Sequence, residues 1–127
     1  MTAPTLEHLN LTVSDPQKTA QMLIDIFGWH IRWQGEAIYE GHSIHVGSET
    51  SYLAVYNLED NCPTYDTHRH LAGLNHIAIT VDDLDATEQK VKRAGFEPTS
   101  HADYEPGRRF YFNDHDGIEF EVVSYVS

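Results

Sequence analysis

The chain has 127 residues, a formal net charge of −12 and a single cysteine. This length corresponds to one ordinary domain, and one cysteine excludes an internal disulfide. Nucleic acids and anionic membrane surfaces attract basic patches, so the acidic charge argues against both as partners. It is compatible with a cationic ligand, with a bound divalent metal, or with solubility alone. No apolar run approaches the roughly 18 residues of a membrane span, and no signal peptide is recognisable, so we expect a cytoplasmic protein.

The first predicted element is a strand at residues 6–13, where apolar and polar side chains alternate. In such a strand His8 and Asn10 face one side, and the leucines between them face the other. A helix should begin near Asp15, which precedes a proline, and should end at Gly28. Short segments rich in aromatic and β-branched residues follow and predict three or four antiparallel strands. These segments are Trp29–Trp33, Ala37–Glu40, Ser43–Val46 and Tyr52–Tyr56.

The second half of the chain repeats the plan of the first. LEHLNLTV at residues 6–13 recurs as LNHIAITV at residues 74–81, with a histidine at the same place in each copy. A fixed repeat of this kind indicates duplicated modules. The remaining predicted elements are a helix from Asp83 to Gly95, a loop at Pro98–Pro106, and strands at Arg108–Asn113 and Ile118–Tyr125.

The predicted architecture is therefore α+β, with two tandem β-α-β-β-β modules in one domain spanning residues 1–127. Module one covers about residues 5–57, a polar linker about 58–73, and module two about 74–126. A module of roughly 60 residues is marginal alone, so the two should share a core or pair across a dimer.

Three side chains are predicted to converge on a metal. His8 and His76 occupy matched positions on the polar side of the first strand of each module. If Phe120 and Val122 cover the helix, Glu121 lies on that same polar side. Two neutral imidazoles and one carboxylate suit a divalent transition metal that keeps open positions for substrate.

These features resemble the vicinal oxygen chelate superfamily. That group includes glyoxalase I, methylmalonyl-CoA epimerase, extradiol dioxygenases, fosfomycin-resistance transferases and bleomycin-binding proteins. Its closing motif is Asp-Pro-Asp-Gly, followed four residues after the glycine by a metal-binding glutamate. Asp114, Asp116, Gly117 and Glu121 match this motif, whereas His115 replaces the proline. The resemblance implies a curved mixed sheet that forms a cup with the helices outside, and a homodimer whose sites form within one chain or across two.

One departure from the resemblance concerns the metal ligands. Glyoxalase I carries a fourth ligand on the last strand of module one, and the alignment places Ala54 there. Alanine cannot ligate, so a four-ligand site would need Glu40 or Tyr56 instead. Three ligands look more like the fosfomycin-transferase or dioxygenase pattern.

For other residues, the expected role follows from the face of the strand on which each one lies. We expect substrate contacts from Asn10, Arg109, Tyr111 and Tyr56. Glu121 and Tyr111 are the candidates for a catalytic role, with Glu119 a second possible base and an alternative ligand. The remaining histidines are expected at the surface or in turns; they include His42, His45, His68, His70, His101 and His115. The expected core aromatic residues are Phe27, Trp29 and Trp33.

The function indicated is a metal-dependent enzyme of the glyoxalase or dioxygenase type. It would act on a small oxygen-rich metabolite chelated by nickel, manganese, iron or zinc. One alternative is a drug-sequestering protein of the bleomycin-resistance kind, which the acidic charge suits. Another is a fosfomycin-type thiol transferase, although the loop Glu97–Pro106 lacks the lysine and serine pattern of those enzymes.

Overall fold

The computed structural model describes residues 3–64, 66–104 and 107–126. The chain divides into two compact units, Met1–Cys62 and Pro63–Ser127, here called unit 1 and unit 2. Each unit holds one helix and one four-stranded mixed sheet. The α+β class and the tandem modules are therefore confirmed. Across the described ranges, no helix is long and apolar enough to cross a membrane.

Unit 1 has the predicted β-α-β-β-β order. Its elements are β1 (His8–Thr12), α1 (Pro16–Phe27), β2 (His30–Ala37), β3 (Gly41–Gly47) and β4 (Tyr52–Asn57). The sheet order is β1-β4-β3-β2, with β1 parallel to β4 and the other pairs antiparallel. The strand predicted at Ala37–Glu40 is wrong, because a 3₁₀ turn at Ile38–Glu40 separates β2 from β3. Tyr39 and Glu40 both have φ of 61° there, which is incompatible with a strand.

Unit 2 repeats this topology. Its elements are β5 (Ile77–Thr80), α2 (Leu84–Arg93), β6 (Thr99–Tyr104), β7 (Gly107–Asn113) and β8 (Glu119–Ser124). The sheet order is β5-β8-β7-β6, and β5 is parallel to β8. The loop predicted at Pro98–Pro106 is wrong where the structure describes it. Residues 99–104 form β6 through antiparallel pairing with β7, and residues 105 and 106 lie outside the described part.

Both helices begin as their sequences predict. The Asp15 side chain accepts a hydrogen bond from the Lys18 N–H at 3.3 Å, and the Asp83 side chain accepts one from the Ala86 N–H at 3.0 Å. Each carboxylate satisfies a backbone donor that has no partner within the helix. Gly28 ends α1 with φ of 70°, a left-handed conformation that glycine adopts without steric cost.

Each helix covers one face of its own sheet. In unit 1 the buried helical side chains include Leu23 and Ile26, and the sheet contributes Ile44, Val46 and Val55. In unit 2 the rings of Phe112 and Phe120 stack with centroids 5.2 Å apart beneath α2. Burying a side chain of this size contributes about 1.5–3 kcal/mol. Because strand side chains alternate, the residues between these core positions lie on the opposite face of each sheet.

We call these opposite faces the polar face of unit 1 and the polar face of unit 2. The polar face of unit 1 is formed by His8, Asn10, Thr12, Trp33, Ser43, His45, Tyr52, Ala54 and Tyr56. The polar face of unit 2 is formed by His76, Ala78, Thr80, Arg109, Tyr111, Glu119, Glu121 and Val123. The register matches the two faces position by position, so they can be compared directly.

Candidate functional site

Glu121 lies at the centre of the polar face of unit 2. Its neighbours in β8, Phe120 and Val122, are buried on the helix side, so its own side chain points to the other face as predicted. One carboxylate oxygen, Oε1, accepts a hydrogen bond from the Tyr111 hydroxyl at 2.9 Å. The other, Oε2, accepts one from Arg109 Nη1 at 3.2 Å. The carboxylate is therefore fixed in orientation by two donors from β7.

His76 stands beside this carboxylate, immediately before β5. Its Nε2 lies 3.3 Å from Oε1 of Glu121, and its Nδ1 lies 3.8 Å from Oε1 of Glu119. The Tyr111 ring meets the imidazole edge-on, with centroids 5.8 Å apart. The side chain of His76 is 39% exposed and that of Glu121 only 10%. The pair is thus open to a ligand on the histidine side and closed on the carboxylate side.

The chemistry of this pair fits a divalent metal. Two donors bonded at about 2.0–2.1 Å to one tetrahedral ion are roughly 3.4 Å apart, close to the His76–Glu121 separation of 3.3 Å. Glu119 lies on the Nδ1 side of the ring at 3.8 Å, beyond hydrogen-bond distance, and a metal at this pair would be bound through the Nε2 lone pair. Among the described residues, no three His, Cys, Asp or Glu side chains are grouped closely enough to hold an ion.

His8 has a similar setting in unit 1. Its Nδ1 lies 2.9 Å from Oε1 of Glu7 and donates a hydrogen bond to it, so the Nε2 lone pair is left available. The ring stacks on Tyr52 with centroids 4.7 Å apart and an interplanar angle of 9°. Its side chain is 42% exposed. Both repeat histidines therefore have Nδ1 on the side of a neighbouring glutamate.

The unit 1 position that corresponds to Glu121 does not carry a carboxylate. Asn10 of β1 pairs with Ala54, and the matching Ala78 of β5 pairs with Glu121. This register agrees with the alignment that placed an alanine at the fourth-ligand position. Tyr56 donates its hydroxyl hydrogen to the Ile38 carbonyl at 2.5 Å.

The remaining predicted substrate contacts are distributed over both faces. Asn10 is exposed on the polar face of unit 1, whereas Tyr56 is only 7% exposed there. Arg109 and Tyr111 share a face of β7, as expected, and both contact Glu121.

Sequence reasoning missed His45, which lies on β3 within a cluster of rings. It stacks with Tyr52 at 4.7 Å and meets Trp33 at 4.9 Å between centroids. Burial lowers the pKa of His45 below 6.5, and the charges of His8 and Arg32 lower it further. The repeat itself could have revealed this residue, because His45 pairs with Ala54 as Tyr111 pairs with Glu121.

Trp33 is not a core residue, contrary to expectation. It is 49% exposed, and it belongs to the polar face of unit 1. Its indole lies across Gly35, where a Cβ atom would come within 2.8 Å of the ring. Phe27 and Trp29 are half-buried, with ring centroids 5.4 Å apart. Two tryptophans close in sequence therefore have different environments.

Comparison with known proteins identifies a family and several solved structures with a similar fold. The family model described as Glyoxalase/Bleomycin resistance protein/Dioxygenase superfamily matches residues 5–122. A domain of that description from Frankia sp. EAN1pec superposes with a TM-score of 0.82 at 21% identity, covering 97% of this chain and 93% of that one. The fosfomycin resistance protein FosX from Listeria monocytogenes, in complex with Mn(II) and sulfate, superposes with a TM-score of 0.70 at 22% identity, covering 97% and 93%. A glyoxalase family protein from Enterococcus faecalis gives 0.71 at 17% identity, covering 91% and 92%. No functionally curated protein matches the sequence.

Proposed function

Because the chain belongs to the glyoxalase/bleomycin resistance protein/dioxygenase superfamily, we propose that it is a divalent-metal-dependent enzyme acting on a small oxygen-rich molecule. The pair formed by His76 Nε2 and Glu121 Oε1, 3.3 Å apart, carries this proposal. His8 would supply the third ligand. The Listeria FosX structure contains Mn(II), which supports a divalent ion, and nickel, iron and zinc are further candidates.

In this proposal the side chains around the pair have distinct tasks. The metal would supply a Lewis acid that holds two vicinal substrate oxygens and stabilises negative charge on them. Arg109 and Tyr111 orient the Glu121 carboxylate. Glu119 lies 3.8 Å from the Nδ1 of His76, and its side chain is 38% exposed, so it would be the group that accepts a proton from substrate. The Tyr111 hydroxyl hydrogen is already engaged, which makes Tyr111 a positioning residue.

Metal binding provides the first test. We expect the purified chain, reconstituted with manganese, nickel, iron or zinc, to bind about one ion. His76→Ala and Glu121→Gln should weaken binding at least a hundredfold, and Glu119→Gln by less than about tenfold, because Glu119 lies 3.8 Å from His76 without a hydrogen bond. His101→Ala is the matched control, because His101 also pairs with a glutamate, Glu88 at 2.8 Å, but on another part of unit 2. If the chain binds none of the four metals, the proposal is wrong.

The reaction class is tested with a substrate panel on the metal-loaded protein. Methylglyoxal with glutathione, methylmalonyl-CoA, fosfomycin with and without a thiol, and catechols distinguish the reactions catalysed in this superfamily. A sequestration protein is the second candidate, favoured by the net charge of −12, which attracts cationic drugs. Calorimetry with bleomycin separates the two, because tight binding that persists in chelator, without turnover of any panel member, supports sequestration.

The cytoplasmic location remains a prediction. We also propose that the chain forms a homodimer. In the described sheets β1 and β2 are edge strands of unit 1, and β5 and β6 of unit 2. Edge strands have unpaired backbone groups that favour pairing or covering. Mixing His8→Ala chains with Glu121→Ala chains tests where the site forms. Recovered metal binding indicates a site built from two chains, whereas no recovery after confirmed subunit exchange places it within one. A monomer in sedimentation at micromolar concentration would rule out the dimer.

A further inference from the structure

The polar face of unit 1 contains a continuous group of rings beside an arginine. Tyr52 is at its centre, with His8 and His45 each 4.7 Å away between ring centroids. Trp33 continues the group from His45 at 4.9 Å. The Arg32 guanidinium carbon lies 4.5 Å from the Tyr52 ring centroid. We call this group of five side chains the ring cluster.

A bulge in β2 makes this arrangement possible. The register of β2 against β3 shifts between Ile31 and Trp33, which leaves Arg32 without a paired residue. In a regular strand Arg32 and Trp33 would point to opposite faces. Here both side chains reach the polar face of unit 1, since Arg32 lies over Tyr52 and Trp33 contacts His45. Bulges redirect side chains in this way and are over-represented next to active sites.

Charge identifies the kind of ligand that would fit. Within the described residues, no carboxylate lies within ion-pair distance of Arg32, while Glu7 pairs with His8 at 2.9 Å and Glu49 with His30 at 3.5 Å. Arg32 therefore retains its planar donors for a carboxylate or similar anion. The indole of Trp33 contacts Gly35 and His45 and is still 49% exposed, so part of the ring is available for stacking.

We propose that the ring cluster binds a planar aromatic ring that carries an acidic group. The ring stacks on Trp33, and the acidic group meets the Arg32 guanidinium. This inference rests on the proposed function, because the aromatic acid would be the part of the substrate that binds on the same face as His8. Binding at the ring cluster itself requires no metal. It can therefore be measured in chelator, where failure of metal binding has no effect.

The experiment uses three small probes of similar size. Benzoate has both a π face and a charge, cyclohexanecarboxylate has the charge alone, and benzamide has the π face alone. We expect saturable binding of benzoate to the full chain in EDTA, at least tenfold tighter than cyclohexanecarboxylate. Arg32→Gln should weaken benzoate binding about tenfold and leave benzamide binding unchanged, which separates the loss of the guanidinium from a loss of folding.

The two tryptophans provide an internal control. Trp29→Phe leaves Trp33 as the reporter, and Trp33→Phe leaves Trp29, which is half-buried beside Phe27. Benzoate should change the fluorescence of the first variant with a saturating curve, and leave that of the second nearly constant. Trp33→Leu should lower benzoate affinity at least tenfold. Equal affinity for benzoate and cyclohexanecarboxylate, or unchanged affinity after Trp33→Leu, would overturn the proposal while leaving the metal site intact.

Discussion

The polar faces of the two units have the same backbone plan and different chemistry. Where unit 2 has Glu121, unit 1 has Ala54, and where unit 2 has Tyr111, unit 1 has His45. Unit 2 thus holds a hydrogen-bonded carboxylate, and unit 1 holds stacked rings. The backbone hydrogen bonds of a sheet can form with many different side chains on its polar face, so duplicated units can diverge there and keep the same fold.

A further set of matching positions shows why substitutions on the two polar faces should differ in their cost to stability. Ser43 in β3 corresponds to Arg109 in β7, because they pair with the matching residues Tyr56 and Val123. Arg109 and Glu121 form a largely buried ion pair, with side chains 13% and 10% exposed. Such a pair costs desolvation on both sides, and neither partner is tolerated well without the other. A polar face built on this pair is therefore more sensitive to substitution than one built on rings.

The largest expected effect comes from breaking that ion pair. Glu121→Leu leaves the buried Arg109 charge without its carboxylate, and we expect a loss of about 3–5 kcal/mol in the free energy of unfolding. The double variant with Arg109→Leu should recover part of this loss, since both charges are then absent. Urea unfolding in chelator measures both. A single variant that loses less than about 1 kcal/mol would show that the pair is well solvated.

The next effect compares two matched positions of the polar faces. Tyr111→Phe removes the 2.9 Å hydrogen bond to Glu121 and keeps the ring, so a loss of about 1.5 kcal/mol is expected for a bond to a charged acceptor. His45→Phe keeps a ring between Tyr52 and Trp33 and should cost under about 1 kcal/mol. If both variants lose the same stability, the contrast between hydrogen bonding in unit 2 and ring stacking in unit 1 is wrong.

A smaller effect concerns two buried serines with opposite surroundings. Ser43 Oγ is buried without a hydrogen-bond partner in the described structure, whereas Ser124 Oγ donates to the Asp82 carbonyl and accepts from the Val126 N–H. Ser43→Ala should therefore be neutral or stabilise the chain by up to about 1 kcal/mol, since it removes an uncompensated hydroxyl. Ser124→Ala should destabilise it by about 1 kcal/mol. Thermal and urea unfolding of both variants provide the comparison.

The duplicated sequence was enough to predict most of this architecture. Alternation placed His8, Glu121 and Arg109 on the polar sides of their strands, because side-chain direction in a strand follows from local period alone. The capping residues Asp15 and Asp83 likewise act locally, through the first turn of each helix. Features of this kind can be predicted from the sequence alone, because they depend only on neighbouring residues.

The features that sequence reasoning missed depend on tertiary pairing. Strand β6 has no apolar alternation, and it exists because β7 offers hydrogen-bonding partners. The β2 bulge, which redirects Arg32, is visible only in the register against β3. Trp33 was predicted in the core from its hydrophobicity, but its position on the polar face of unit 1 depends on the sheet and on Gly35. Propensity alone cannot predict such choices.

The smallest effect on stability is expected from the turns that precede β4 and β8, which occupy matching positions in the two units. The half-buried Ser48 side chain accepts hydrogen bonds from the Thr50 and Ser51 N–H groups, whereas the buried Asp114 carboxylate accepts them from Asp116 and Ile118. Burial raises the pKa of Asp114 above 3.8, although those two backbone hydrogen bonds oppose the rise.

The folded chain therefore binds the Asp114 proton more tightly than the unfolded chain does. Its contribution to stability is largest below pH 3.8 and is lost as pH rises through the raised pKa. Asp114→Asn keeps an oxygen acceptor and cannot ionise, so its stability relative to the parent chain should improve over that pH interval and then stay constant. Ser48→Ala should shift stability by the same small amount at every pH, because its hydroxyl does not titrate. Urea unfolding at a series of pH values measures both, and a parallel pH dependence for Asp114→Asn and the parent would show that the buried carboxylate causes none of it.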